Sequence, residues 1–223
     1  AAKIAACYAP LMVAGGVESM SRVPMGSDGG AWMTDQEIMR LTAFVPQGIS
    51  ADLIASLKKH SRTQLDTFAA DSHQKAFRAW NENRFARSII PVVDETGKRL
   101  LEKDEIIRPE TTVESLAQLK PAFKELGESK GFDAVALSRY PEAKVIQHLH
   151  HAGNSSGIGD GAALVLLGTP EMGKILKLPP RARLISVGQV ATDPTIMLTG
   201  PAPATKKALK RAGLSANQLD VVE

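Results

Sequence analysis

Residues 150–168 read HHAGNSSGIGDGAALVLLG, and His148 stands two positions before them. Such a density of His, Ser and Asp admits three kinds of chemistry. In the first, His148, His150 and His151 ligate a metal. On a strand, alternation puts 148 and 150 on one face and 151 on the other, so at most two ligate together. Metal sites usually also need a Cys or carboxylate nearby, and Asp160 is some way along the chain. Histidines at a strand end more often pack or hydrogen-bond. In the second, Gly153-Asn154-Ser155-Ser156-Gly157 matches G-x-S-x-G, which exposes a nucleophilic hydroxyl only on a strand-to-helix turn. Here the glycine-broken segment enters a strand instead. G-I-G-D-G likewise fails as a dinucleotide fingerprint, which has to open a helix. In the third, glycines let a ligand lie against main-chain N–H groups while a neighbouring hydroxyl adds one directional hydrogen bond. A tight connection whose glycines serve only the backbone has the same composition, which leaves these two open.

The elements that must position this stretch alternate between helix and strand. Residues 1–8 are Ala-rich and helix-compatible, and LMVAGG is a short strand. Ser61 with Gln64 is a capping-box pattern. Behind it, Leu65, Phe68, Ala69, Ala76, Phe77 and Trp80 recur at helical spacing. SIIPVV with the turn DETGKR predicts an edge strand, because Pro91 cannot donate to a ladder. Thr111 or Thr112 caps a helix that ends before Pro121. VIQHL predicts a strand, and AALVLL, apolar throughout, a buried one. Thr169-Pro170 starts a helix, ARLISVGQVA predicts another strand, and PATKKALKRAG a helix closed by Gly213.

Composition narrows the partners. Lys and Arg number 27 against 24 Asp and Glu, with no long basic block, so nucleic-acid binding has little support while an anionic small molecule fits. No stretch approaches the ~20 apolar residues of a membrane span. The single cysteine, Cys7, excludes an internal disulfide and fits a reducing, cytoplasmic compartment. It is expected to be a small buried residue.

AGNSSGIGDGAALVLLG resembles the loop-plus-strand segment of the thiolases, A-G-N-x-S-G-x-x-D-G-A-A. VAGGVESMSRVPM, SRTQLDTFAADSHQKA, RPETTVESLAQLKPAF and ATDPTIMLTGPAPATKKALKRAGL resemble further thiolase segments in the family's order. The resemblance implies an acyl transfer between an enzyme cysteine and coenzyme A that cleaves or forms 3-oxoacyl-CoA, by nucleophilic catalysis with preorganised oxyanion holes. It implies that residues 152–157 border the pantetheine arm, with Ser156 at the pantetheine-contacting serine. It also implies Arg108 at the nucleotide end and Ser115 near the adenine. A guanidinium suits a phosphate or a purine face; the alternative for Arg108 is a surface ion pair with Asp104 or Glu105. Coenzyme A is thus the implied substrate or product, without a metal, and a homodimer or homotetramer the implied assembly.

The departures matter equally. The family's C-x-S-G nucleophile motif, its N-E-A-F and G-H-P segments and its second cysteine do not occur in the 223 residues, so no catalytic group is assigned here. The implied fold is a layered αβαβα arrangement, incomplete, with an inserted loop domain. Residues 1–27 would end its N-terminal half, 28–158 would be the inserted coenzyme A-binding domain, and 159–223 would open its C-terminal half. A thiolase-like protein that binds CoA or lipid without turnover is the alternative function. Pro46 stands where small-substrate members carry histidine, and residues 127–151 add chain before the AGN loop. Phe132, Val135, Leu137 and Tyr140 in that addition would either line an acyl site or pack against the inserted domain.

Overall fold

Along the chain run α1 (Ala2–Ala5), β1 (Leu11–Glu18), α2 (Ala31–Thr34), α3 (Gln36–Thr42), α4 (Gln47–Lys58) and α5 (Arg62–Asn81). There follow β2 (Val92–Val93), β3 (Arg99–Leu101), α6 (Val113–Ala117), α7 (Lys124–Glu128) and α8 (Phe132–Arg139). The series closes with β4 (Gly161–Gly168), α9 (Pro170–Ile175) and α10 (Pro201–Ala212). The computed structural model describes residues 1–223, apart from the side chain of Met33. It divides into one unit of residues 1–29, 158–192 and 199–223, and a second of residues 30–157 and 193–198.

The first unit is built on β1 and β4, paired antiparallel from Leu11 opposite Gly168 to Glu18 opposite Gly161. The apolar run 162–167 therefore forms the expected strand, but not a buried one: Leu164 is 76% exposed. A two-stranded ribbon offers neither face a covering layer, so alternate side chains on both faces meet solvent. Residues 182–191, expected as a strand, have no ladder partner among the described residues. Instead the carbonyls of Val187 and Gln189 accept from Arg211 Nη1 at 2.7 Å and Lys207 Nζ at 2.8 Å, both on α10. Cys7 is exposed, not buried. It follows the four-residue α1 in the left-handed region at φ 60°, where the chain turns out of the helix. Thr169 caps α9, its hydroxyl accepting from Met172 N.

The second unit holds the core. Val45, and Ile49 and Leu53 of α4, meet Ala136 of α8 and Ile146, and all five are buried. Ile49 and Leu53 stand four apart on one face of α4, with Val45 just ahead of the helix, and each large aliphatic so buried contributes roughly 1.5–3 kcal/mol. Phe132, Val135, Leu137 and Tyr140 pack against this cluster. Of the two roles open to them, packing is the one the structure shows.

Helix α5 starts at the expected capping box: Ser61 Oγ accepts from Gln64 N, and Gln64 Oε1 accepts from Ser61 N at 2.9 Å. Its apolar stripe is not what it buries. Phe68 is 79% exposed, whereas Asp66 and Ala70 are buried. The face that packs is set by Asp66, which collects hydrogen bonds from Arg62, His151 and Asn154. Thr112 rather than Thr111 caps α6, in a second capping box with Ser115. VIQHL, expected as a strand, has no ladder. Two of its backbone donors, Gln147 N and Leu149 N, are claimed by side chains of α4, as described next.

Candidate functional site

Helix α4 begins after Pro46 and turns Asp52 and Ser56 towards the segment 145–156. Gln147 N donates to Ser56 Oγ at 2.8 Å. Leu149 N and His150 N both donate to Asp52 Oδ1, at 3.0 and 3.1 Å. His150 O in turn accepts from Ala122 N at 2.9 Å. With these groups satisfied by side chains and by one loop, the segment stays irregular.

The three histidines sort by their acidic partners. Asp52, fully buried, meets His150 Nδ1 through Oδ1 at 2.7 Å and His148 Nδ1 through Oδ2 at 3.0 Å. The other nitrogen of His148 lies 3.0 Å from Asp133 Oδ2. His151 turns to Asp66, its Nε2 at 2.9 Å from Oδ1. Gly153 N donates to His151 Nδ1 at 3.0 Å, so that nitrogen is an acceptor and the proton sits on Nε2. Burial pushes the Asp52 carboxyl up, but the hydrogen bonds from the His150 ring, Leu149 N, the His148 ring and His150 N outweigh it and hold the group below the usual carboxylate range. Asp160, the nearest acid in sequence, is instead tied to the amide and hydroxyl of Ser21. Among the described residues no three His, Cys, Asp or Glu side chains are grouped to hold a metal ion.

Asn154 closes the loop from inside. Its Oδ1 accepts from His151 N at 2.8 Å, and its Nδ2 donates to Asp66 Oδ1 and Leu149 O. This leaves Ser155 and Ser156 at the edge of a cleft of about 180 Å³. Gln47, Gly48, Ala51, Phe123, His150, Asn154 and Leu198 complete its lining. The Phe123 ring lies directly on α4, where a Cβ on Gly48 would stand 2.3 Å from it. Only a residue without a side chain fits there. Leu198 is brought in by Thr195, whose hydroxyl donates to Ala43 O and whose carbonyl accepts from Ser50 Oγ, both at 2.7 Å. The cleft thus has an apolar floor and a rim of two hydroxyls, two amides and an imidazole. It suits a slender ligand segment that carries amides.

Of the residues singled out from sequence, Ser156 lines this cleft, and Arg108 and Ser115 do not. Arg108 lies close by in chain: a Cβ at Gly157 would stand 3.1 Å from the side chain of Ile106, two residues before it. Its backbone N donates to His73 Nδ1 at 3.2 Å. Among the described residues its exposed guanidinium forms no ion pair, and Asp104 accepts from Ile106 N instead. Ser115 Oγ is occupied by the capping box, donating to Thr112 O and accepting from Thr112 N. Sequence reasoning did not single out Asp52, Asp66 or Asp133. The readable signal was Asp52 on the apolar stripe of α4, between Ile49 and Leu53, where an acid must find buried partners.

The α/β chain sets a glycine-rich loop beside this cleft, and comparison with known proteins shows its family. The thiolase N-terminal domain family matches residues 1–139 and the thiolase C-terminal domain family residues 178–223. This chain belongs to the thiolase family. It is 38% identical over 216 residues to the 3-ketoacyl-CoA thiolase of Aeromonas salmonicida, covering 96% of this chain and 50% of that protein. With the 3-ketoacyl-CoA thiolase of Klebsiella pneumoniae it shares 40% identity over 212 residues, covering 94% and 49%. It superposes on the crystal structure of the dimeric peroxisomal thiolase of Saccharomyces cerevisiae with a TM-score of 0.78 and 32% identity, covering 99% of this chain and 51% of that one. The fold is therefore thiolase-like, and the chain spans about half the length of the relatives it matches.

Proposed function

We propose that this chain contributes the coenzyme A-holding portion of an acyl-CoA thiolase, which transfers an acyl group between an enzyme cysteine and CoA and so cleaves or forms 3-oxoacyl-CoA. The observation that carries the reading is the position of Ser156. It lies on the rim of the cleft in a chain that resembles thiolases along nearly its whole length. In this reading pantetheine runs over Phe123 and Leu198 past Ser156. Arg108 meets the nucleotide end, and Ser115 lies near the adenine with the lone pair its capping box leaves free. Residues 28–158 act as the inserted coenzyme-binding domain, with 1–27 and 159–223 belonging to the two halves that flank it. The acylated cysteine and the base that activates it come from segments other than these 223 residues. The assembly is a homodimer or homotetramer in the cytoplasm; the dimeric yeast thiolase supports the smaller one. No helix among the described residues is long and apolar enough to cross a membrane.

Arg108→Ala in the complete protein tests the reading. Removing a charge-assisted contact should raise the KM for CoA about tenfold or more, with kcat nearly unchanged because binding shared by ground and transition states does not alter the chemical step. An unchanged KM at low salt would remove Arg108 from the site. CoA binding without any turnover by the complete protein would select the non-catalytic alternative.

A further inference from the structure

The free polar groups on the cleft wall differ in how firmly they are held. The amide of Asn154 is spent inside the protein. Gln47, Ser155 and Ser156 are exposed, and water competes for them while they rotate. His150 is different. Its ring is only 15% exposed, and its Nδ1 is locked at 2.7 Å to a carboxylate that is itself fully buried. Asp52 cannot swing, because Leu149 N, His150 N and His148 hold it from other directions. Among the described residues the opposite ring nitrogen of His150, Nε2, has no hydrogen-bond partner, and the residue forms part of the cleft wall. A carboxylate that orients an imidazole in this way fixes both its direction and its tautomer. Asp52 can only accept, so in the neutral ring the proton sits on Nδ1 and Nε2 is an acceptor. A preorganised acceptor beside an apolar floor calls for a ligand N–H, which loses little freedom on meeting it.

We propose that His150 is a ligand-contacting residue of this cleft, its Nε2 accepting a hydrogen bond from an amide N–H of the pantetheine arm of coenzyme A. This rests on the coenzyme A reading above and adds to it a contact that serine and arginine do not supply. Asp52 acts through His150 as a positioning residue. It touches no ligand.

The test is His150→Asn in the complete protein. The asparagine amide can take the place of Nδ1–H against Asp52, so the buried carboxylate keeps its partner while the cleft loses its acceptor. Two probes are titrated calorimetrically: pantetheine for the arm, and adenosine 3′,5′-bisphosphate for the nucleotide end. The Kd for pantetheine should rise about fivefold to tenfold, the loss of one hydrogen bond, while that for the bisphosphate and the Tm stay as in the unaltered protein. An unchanged pantetheine Kd, or equal weakening of both probes with a lowered Tm, would overturn the proposal and leave His150 a packing role. In the complete protein with nitrogen-15-labelled histidine, adding pantetheine should shift the ring-nitrogen resonance that His150→Asn removes; no shift of that resonance would also overturn the proposal. If the unaltered protein bound neither probe, the coenzyme A reading itself would fall.

Discussion

A polypeptide limited to residues 1–223 is expected to show no thiolysis of acetoacetyl-CoA. Acyl transfer of this kind needs a thiolate activated by an adjacent base. Cys7, the one cysteine, is exposed on a left-handed turn and lacks the Ser-Gly that follows the family's nucleophile. Among the described residues no base is hydrogen-bonded to its thiol. His148, His150 and His151 are each committed through at least one ring nitrogen to Asp52, Asp133 or Asp66. Loss of a nucleophile and its base together typically costs on the order of 10⁶-fold in rate. A coupled assay for free acetyl-CoA should therefore read at the uncatalysed background. Turnover by pure material that Cys7→Ala abolishes would place the nucleophile in this chain.

Asp52→Ala should be the most damaging single substitution in the second unit, with a loss of about 3–5 kcal/mol, as when one partner of a buried charged network is removed. Two backbone N–H groups and the Nδ1 atoms of His148 and His150 would all lose their acceptor at once. Segment 145–151 has no ladder to fall back on, so the loop above it should loosen as well. Asp52→Asn should cost less, about 1–2 kcal/mol. Its Oδ1 still accepts from the Leu149 and His150 side, and His148 can accept from the new Nδ2 while donating to Asp133. The acid limb of stability follows from the same group. Because its folded carboxyl is held below the usual range, its contribution is complete above an ordinary aspartate value of about 4 and is lost as pH falls through the depressed folded value. Thermal melts of the complete protein from neutral to strongly acid pH should show a steeper acid loss in wild type than in Asp52→Asn. Equal slopes would remove Asp52 from the acid transition.

Local signals carried much of this fold. The capping box at Ser61, the cap at Thr111 or Thr112 and the Thr169-Pro170 helix start need only residues within one turn; the first and last form as expected, and Thr112 supplies the cap between them. Strands were less legible, because a strand needs a partner that its own residues do not specify. AALVLL found one in β1, yet without a covering layer it stays exposed. Among the described residues ARLISVGQVA found none, and VIQHL gave two of its donors, at Gln147 and Leu149, to α4 side chains. The histidines were visible as a cluster, whereas Asp52 and Asp66 lie 85 to 98 positions away and Asp133 lies 15 away, and only folding could pair them. Alternation on a strand grouped His148 with His150. They do share Asp52, although no strand exists there.

The central claim is that coenzyme A lies in the cleft between α4 and the 152–157 loop. A crystal structure of the complete protein grown with saturating CoA measures this most directly. The account predicts the pantetheine arm against Phe123 and Leu198, one of its amide N–H groups within 3.2 Å of His150 Nε2, Ser156 in contact with it, and the nucleotide end towards Arg108. CoA ordered at any other site, with the Gln47–His150–Ser156 cleft empty, would contradict it.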